Sequence, residues 1–105
     1  MSQSDNNLVT PAVHLRNFQL GQEWIAATFD VRSDTALQAD SFGHSAAVPI
    51  WLNRLGLHYV FMGRGRGLSE QRRRPSLFPH AFYSASPVDP TQRVLAAYMF
   101  YSDPW

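Results

Sequence analysis

The sequence predicts an α+β fold: a small antiparallel sheet of four or five strands packed against one or two helices. Three observations lead to this prediction. Residues 23–31 alternate with a period of two, residues 46–55 place apolar side chains at helical spacing, and residues 57–62 form a short apolar run. The chain has 105 residues, 45% of them hydrophobic and 16% charged, so it can bury the core of one domain.

The first third of the chain is interpreted as a flexible segment followed by a hairpin. Residues 1–10 are polar and show no apolar period, so we expect them to be flexible and a single globular domain to span residues 11–105. Residues 12–20 are predicted as a weak strand. Residues 23–31 are predicted as a stronger strand, because the apolar residues at positions 25, 27, 29 and 31 recur with a period of two.

The middle of the chain contains the clearest helix signal. Residues 33–45 are small and polar, which predicts a loop or a short helical turn. Ser45 is a suitable N-cap for a helix over residues 46–55, and Gly56 is a suitable left-handed stop. The buried face of this helix is predicted to consist of Val48, Trp51, Leu52 and Leu55.

Three further elements are predicted in the second half. Residues 57–62 are apolar enough for a central strand, and the aromatic residues within 77–84 predict another strand. The apolar run at residues 93–101 fits both a helix and a strand. We favour the helix, because Asp89 and Pro90 before it form a plausible helix start.

Composition excludes several kinds of chemistry. There is no cysteine, so disulfides, iron–sulfur clusters and cysteine nucleophiles are absent. The nine basic residues are all arginine, which excludes a Schiff-base lysine and a phosphate-loop lysine. No apolar run approaches the roughly 20 residues of a membrane span, and residues 1–7 lack the features of a secretory signal. We therefore expect a cytoplasmic protein that does not enter a membrane.

The segment from residue 63 to residue 74 alternates glycine with arginine and then becomes strongly basic. Its glycine spacing matches neither the dinucleotide pattern nor the phosphate-loop pattern. One interpretation is a solvated loop; the other is a binding site for an anion, a nucleic acid or an acidic partner. In the second case the binding residues would be Arg64, Arg66, Arg72, Arg73 and Arg74.

The sequence contains no local catalytic or metal-binding motif. Its four histidines do not occur at the spacing of metal ligands on one element, so we expect neither a metal nor another cofactor. No nucleophile elbow and no paired carboxylates are present. An active site could still be assembled from distant positions, and the candidates for it are Asp40, His44, His58 and His80.

Elimination of these motifs favours a small non-enzymatic interaction module, such as a regulator, an inhibitor or an assembly subunit. Trp24 and Trp105 are the candidate interface residues, and we expect a protein partner or a homodimer. The alternative is a protein that binds nucleic acid or phosphate through residues 63–74. A second alternative is a small enzyme that depends on histidine.

Overall fold

The computed structural model describes residues 6–41, 43–63 and 80–98. Among these residues the chain forms two helices and four strands, which confirms the predicted α+β class. In chain order the elements are α1 (Pro11–Phe29), β1 (Thr35–Gln38), α2 (Val48–Arg54), β2 (Tyr59–Met62), β3 (Ala81–Ala85) and β4 (Arg93–Tyr98).

The sheet is mixed, whereas the sequence predicted an antiparallel one. Its strand order is β1-β2-β4-β3. Strand β2 pairs in parallel with both β1 and β4, and only β3 is antiparallel to its neighbour β4. Helix α2 connects β1 to β2, as parallel pairing of consecutive strands requires. The carboxyl ends of β1, β2 and β4 consequently lie at the same edge of the sheet.

Helix α1 occupies the region in which two strands were predicted, so the predictions for residues 12–20 and 23–31 are wrong. The hydroxyl of Thr10 accepts a hydrogen bond from the backbone nitrogen of Val13 at 3.4 Å, and a proline follows at the first helical position. The buried residues are His14, Phe18 and Gly21, which recur at helical spacing. The alternation in residues 23–31 was misleading, because apolar residues occur in both of its phases.

Two other predictions also need correction. Strand β1 lies inside the predicted loop 33–45, and it was missed because one of its two inward side chains, Gln38, is polar. Residues 93–98 form a strand and not the favoured helix. The apolar spacing of this segment fits the helical period and the strand period alike. Its pairing with β2 on one side and with β3 on the other selects the strand.

The remaining elements agree with the sequence. The helix predicted at residues 46–55 is confirmed as α2, but its N-cap is Ala47 and not Ser45. The strand predicted at residues 57–62 is confirmed as β2. The described part of the strand predicted at residues 77–84 belongs to β3. Within the described ranges, neither helix is long and apolar enough to span a membrane.

Both helices cover one face of the sheet and form the core with it. The other face is exposed and includes Leu37, Tyr59 and Phe61. The buried hydrophobic residues come from both helices, from three of the strands and from one connecting residue: Phe18, Ala36, Val48, Trp51, Leu52, Leu57, Val60, Met62, Val94 and Ala96.

The segment before α1 is described from residue 6 onward. Asn6 is 2% exposed, and Thr10 caps the helix. Residues 1–5 lie outside the described part of the chain. The predicted boundary between a flexible segment and a domain starting at residue 11 stays a prediction.

A buried histidine lies between the two helices. The ring of His14 meets the rings of Phe18 and Trp51 in T-shaped contacts, with centroid distances of 5.4 and 5.0 Å. Burial lowers the pKa of His14 below its ordinary value of 6.5, because the protonated ring loses hydration in this position.

This histidine should make the stability of the protein depend on pH. The unfolded chain binds the proton more readily than the folded chain, since the pKa is lowered by folding. We expect the contribution of His14 to be complete above pH 6.5 and to decline as the pH falls below that value. Urea unfolding of wild type and His14→Phe between pH 8 and pH 5 measures it. An equal pH slope in both proteins would contradict the expectation.

Candidate functional site

The carboxyl edge of the parallel strands is where ligands of α/β sheets usually bind. In this sheet Gln38, Met62 and Tyr98 are aligned at the carboxyl ends of β1, β2 and β4. The backbone nitrogen of Tyr98 donates to the carbonyl of His80 at 3.0 Å, so the residue before β3 lies at the same edge.

A compact turn follows β1 at this edge. We call residues 38–41, 43 and 44 the Asp40 turn. Asp40 is exposed in it, while Gln38 and Ser41 on either side are buried. The backbone nitrogen of Gly43 donates to the carbonyl of Ser41 at 3.1 Å, and the φ of Gly43 is 90°, a conformation that favours glycine. The chain therefore reverses, and Nδ1 of His44 lies 2.9 Å from Oε1 of Gln38.

The end of β2 fixes the Asp40 turn from the other side. The backbone nitrogen of Gly63 donates to the carbonyl of Gln38 at 3.0 Å. A Cβ atom on Gly63 would lie 1.9 Å from the carbonyl oxygen of Ala39. Only glycine permits this approach without a shift of the backbone.

Replacement of Gly63 by alanine should therefore displace the Asp40 turn. We expect the free energy of unfolding to fall by about 1–3 kcal/mol, as in other overpacked positions. Amide NMR shifts at residues 39–41 should move. Gly56→Ala is the matched control, because no atom lies within 4 Å of the added Cβ and its cost is that of a φ of 69°. Unmoved shifts together with wild-type stability in Gly63→Ala would contradict the close approach.

Three of the four residues proposed for an assembled active site lie at the carboxyl edge, two of them beside β1 and one beside β3, the strands at opposite sides of the sheet. Asp40 and His44 belong to the Asp40 turn, and His80 precedes β3. His58 lies at the opposite edge, where its backbone nitrogen donates to the carbonyl of Asp34 at 2.8 Å just before β2. The sequence named these residues but did not indicate which of them lie at this edge.

The other described carboxylates lie away from this edge. Glu23 pairs with Arg16 at 3.2 Å on α1, and Asp30 ends that helix. The end of α1 is at the amino edge of the sheet, because Nε2 of Gln22 donates to the carbonyls of Ser33 and Leu55 at 3.3 and 3.1 Å. Two further carboxylates precede the amino ends of strands, namely Asp34 before β1 and Asp89 before β4. Among the described residues, Asp40 is the carboxylate at the carboxyl edge.

The structure describes one of the two predicted interface tryptophans. Trp24 is 61% exposed, but it lies on α1 and not on a strand as predicted. Its ring meets that of Phe29 edge to face at 5.7 Å. Trp105 lies outside the described residues, as do the predicted binding residues Arg64, Arg66, Arg72, Arg73 and Arg74. Their roles stay predictions.

The residues at positions 6–41, 43–63 and 80–98 contain no cluster of the usual metal-binding side chains. In them, no group of three or more histidine, aspartate or glutamate side chains is close enough together to hold a metal ion.

Comparison with known proteins relates nearly the whole chain to one family. Residues 1–102 match the model described as glycosyl hydrolases family 38, N-terminal domain. No curated protein and no solved structure matches the chain. The family match shows that the prediction of a non-enzymatic interaction module or regulator is wrong.

Proposed function

The chain belongs to glycosyl hydrolase family 38, and we propose that it takes part in hydrolysing glycosidic bonds, with Asp40 as a reacting carboxylate. The observation that supports this role is the position of Asp40. It is the carboxylate that the described residues bring to the carboxyl edge of the sheet, and its side chain is exposed to an incoming ligand.

The chemistry of glycoside hydrolysis assigns a role to such a group. Most glycosidases use two carboxyl groups, one as the acid that protonates the leaving oxygen and one as a nucleophile or base. The acid is usually buried among apolar groups. Asp40 is exposed, so we assign it the role of nucleophile or base. The described residues bring no second carboxylate to this edge.

Polar side chains at the carboxyl edge support a sugar as the ligand. Each sugar hydroxyl can both donate and accept a hydrogen bond, so its binding site needs both kinds of group. Imidazole rings supply both kinds: His44 belongs to the Asp40 turn, and His80 lies at the same edge beside β3, at the opposite side of the sheet. We propose that they contact substrate hydroxyls or the leaving group.

An assay of the purified chain on a panel of aryl glycosides tests this function. Each substrate carries a different sugar in each anomeric form, and release of the aryl alcohol is followed by absorbance. We expect saturable release above the buffer rate for one sugar class. Absence of release from every substrate, together with absence of saturation-transfer NMR signals from the free sugars, would overturn the proposal.

Two expectations from composition remain proposals beside this activity. One is a cytoplasmic location. The other is association with a second copy or a protein partner, for which the exposed Trp24 is the described candidate. Light scattering on the purified chain, whose mass is 11.9 kDa, tests for the second copy.

A further inference from the structure

We propose that Gln38 is a positioning residue that holds the Asp40 turn in its reactive shape. The inference deepens the proposed function, because Asp40 is the reacting group only if that function is correct. The contacts on which it depends belong to the protein alone, so they can be tested without a substrate.

Gln38 occupies an unusual place for a polar side chain. It is 3% exposed and lies on the core face of β1, next to the fully apolar Ala36, Val60 and Met62. Placing an amide among apolar side chains costs free energy unless hydrogen bonds compensate it. A residue retained for packing alone at this position would be apolar.

The hydrogen bonds of Gln38 are directed at the turn. Its amide oxygen lies 2.9 Å from Nδ1 of His44, and the N–H of the ring donates to it. Its backbone carbonyl accepts from the nitrogen of Gly63 at 3.0 Å. Gln38 therefore joins the start of the Asp40 turn to its end and, at the same time, to the end of β2.

This closure restricts the position of Asp40. Gln38 and His44, the two ends of the Asp40 turn, are joined by this contact, and Asp40 within the turn is exposed. Reacting groups must be held to within about 0.5 Å of their productive geometry, and residues that make no contact with the substrate usually hold them. Gln38 is buried and acts through the turn, while Asp40 faces solvent.

The second amide atom of Gln38 distinguishes positioning from stabilisation. Its Nε2 is buried and has no hydrogen-bond partner. An unsatisfied buried donor is destabilising, so an apolar residue of similar length should be tolerated by the fold. We therefore expect Gln38→Met to keep or raise the thermal midpoint of unfolding while loosening the turn. If Gln38 only stabilised the core, Gln38→Met would lower the thermal midpoint and leave the turn unchanged.

The experiment compares Gln38→Met with Gln22→Met, a matched control. Gln22 is a partly buried glutamine whose Nε2 donates to two backbone carbonyls near the amino edge, away from the turn. Amide hydrogen exchange at residues 39–41, 43 and 44 is measured by NMR, together with the ring ¹⁵N shifts of His44. We expect exchange at the turn to rise about 10-fold or more in Gln38→Met and to stay unchanged in Gln22→Met.

Activity gives the second measurement. We expect kcat to fall about 10- to 100-fold in Gln38→Met with little change in KM, the usual size of effect for a residue that orients a reacting group. Gln38→Glu retains the acceptor for Nδ1 of His44 and should recover most of this loss. His44→Leu removes the same hydrogen bond from its other end, so it should loosen the turn even if Gln38→Glu fails to fold.

The outcomes separate the two proposals. Faster exchange at the turn in Gln38→Met and His44→Leu supports the role of Gln38, whether or not the wild type hydrolyses a glycoside. An inactive wild type with this exchange pattern would overturn the proposed function alone. Wild-type exchange at the turn in both variants would overturn the role of Gln38, even in an active enzyme.

Discussion

Replacement of Asp40 by asparagine is expected to lower kcat for glycoside hydrolysis by about 10²–10⁴-fold, the usual contribution of a reacting acid or base. Asparagine has the same size and suits the same turn conformations, but it cannot ionise. Because Asp40 is exposed, the substitution should change the free energy of unfolding by no more than about 0.5 kcal/mol. Steady-state kinetics and urea unfolding on the same preparation separate the two effects.

Asp34→Asn is the matched control for this prediction. Asp34 is also exposed, and it precedes the same strand, β1, at the opposite edge of the sheet. Its carboxylate accepts a hydrogen bond from the hydroxyl of Thr35 at 2.8 Å, so the control removes a charge of equal sign from a similar environment. Equal losses of kcat in the two variants would show that Asp40 acts through overall charge and does not react with the substrate.

The fold was predictable from sequence where one period was unambiguous. In α2, apolar residues recur at helical spacing and Gly56 ends the segment with a φ of 69°. In β2 the apolar run is short and bounded by glycine. Helix α1 was missed because the predicted hairpin placed its turn at residues 21 and 22, between the strands predicted at residues 12–20 and 23–31. In the structure Gly21 is buried within the helix, so its small size serves packing and not chain reversal.

Because residues 33–45 were predicted as a loop, the position of the candidate site could not be predicted from the sequence. Once residues 35–38 form strand β1, α2 is the connection from β1 to β2, and the two strands pair in parallel. Asp40 and His44 follow β1, so they must lie at the carboxyl edge of this pair. The sequence names both residues as candidates but cannot bring them together without this strand. Parallel pairing depends on contacts between distant residues, which local periods do not report.

Elimination of local motifs led to the wrong functional class for a related reason. Glycoside hydrolysis needs two carboxyl groups a few ångströms apart, and they can come from distant points of a chain. No fixed spacing follows from that requirement. The absence of a motif was therefore compatible with a hydrolase, and similarity across residues 1–102 supplied the family that local spacing could not.

Replacement of Leu52 by alanine is expected to have the largest effect on stability. Leu52 is fully buried on α2, at 0% exposure, and it belongs to the core between the helices and the sheet. Its backbone carbonyl also accepts from the nitrogens of Leu55 and Leu57, at 3.0 and 2.9 Å, so the surrounding backbone is held in place. A cavity here cannot easily collapse, and we expect a loss of about 2–5 kcal/mol.

The control for Leu52→Ala must lie on the same helix without a tertiary contact. Asn53 is unsuitable, because its Nδ2 donates to Oε1 of Gln92 and to the carbonyl of Arg93 at 3.2 and 3.3 Å. Arg54 is exposed, and Arg54→Ala should stay within about 0.5 kcal/mol of wild type. For Leu52→Ala the thermal midpoint should fall by at least about 8 °C, since 1 kcal/mol corresponds to roughly 4–8 °C in a small domain. Equal midpoints for the two variants would show that α2 does not bury this face against the sheet.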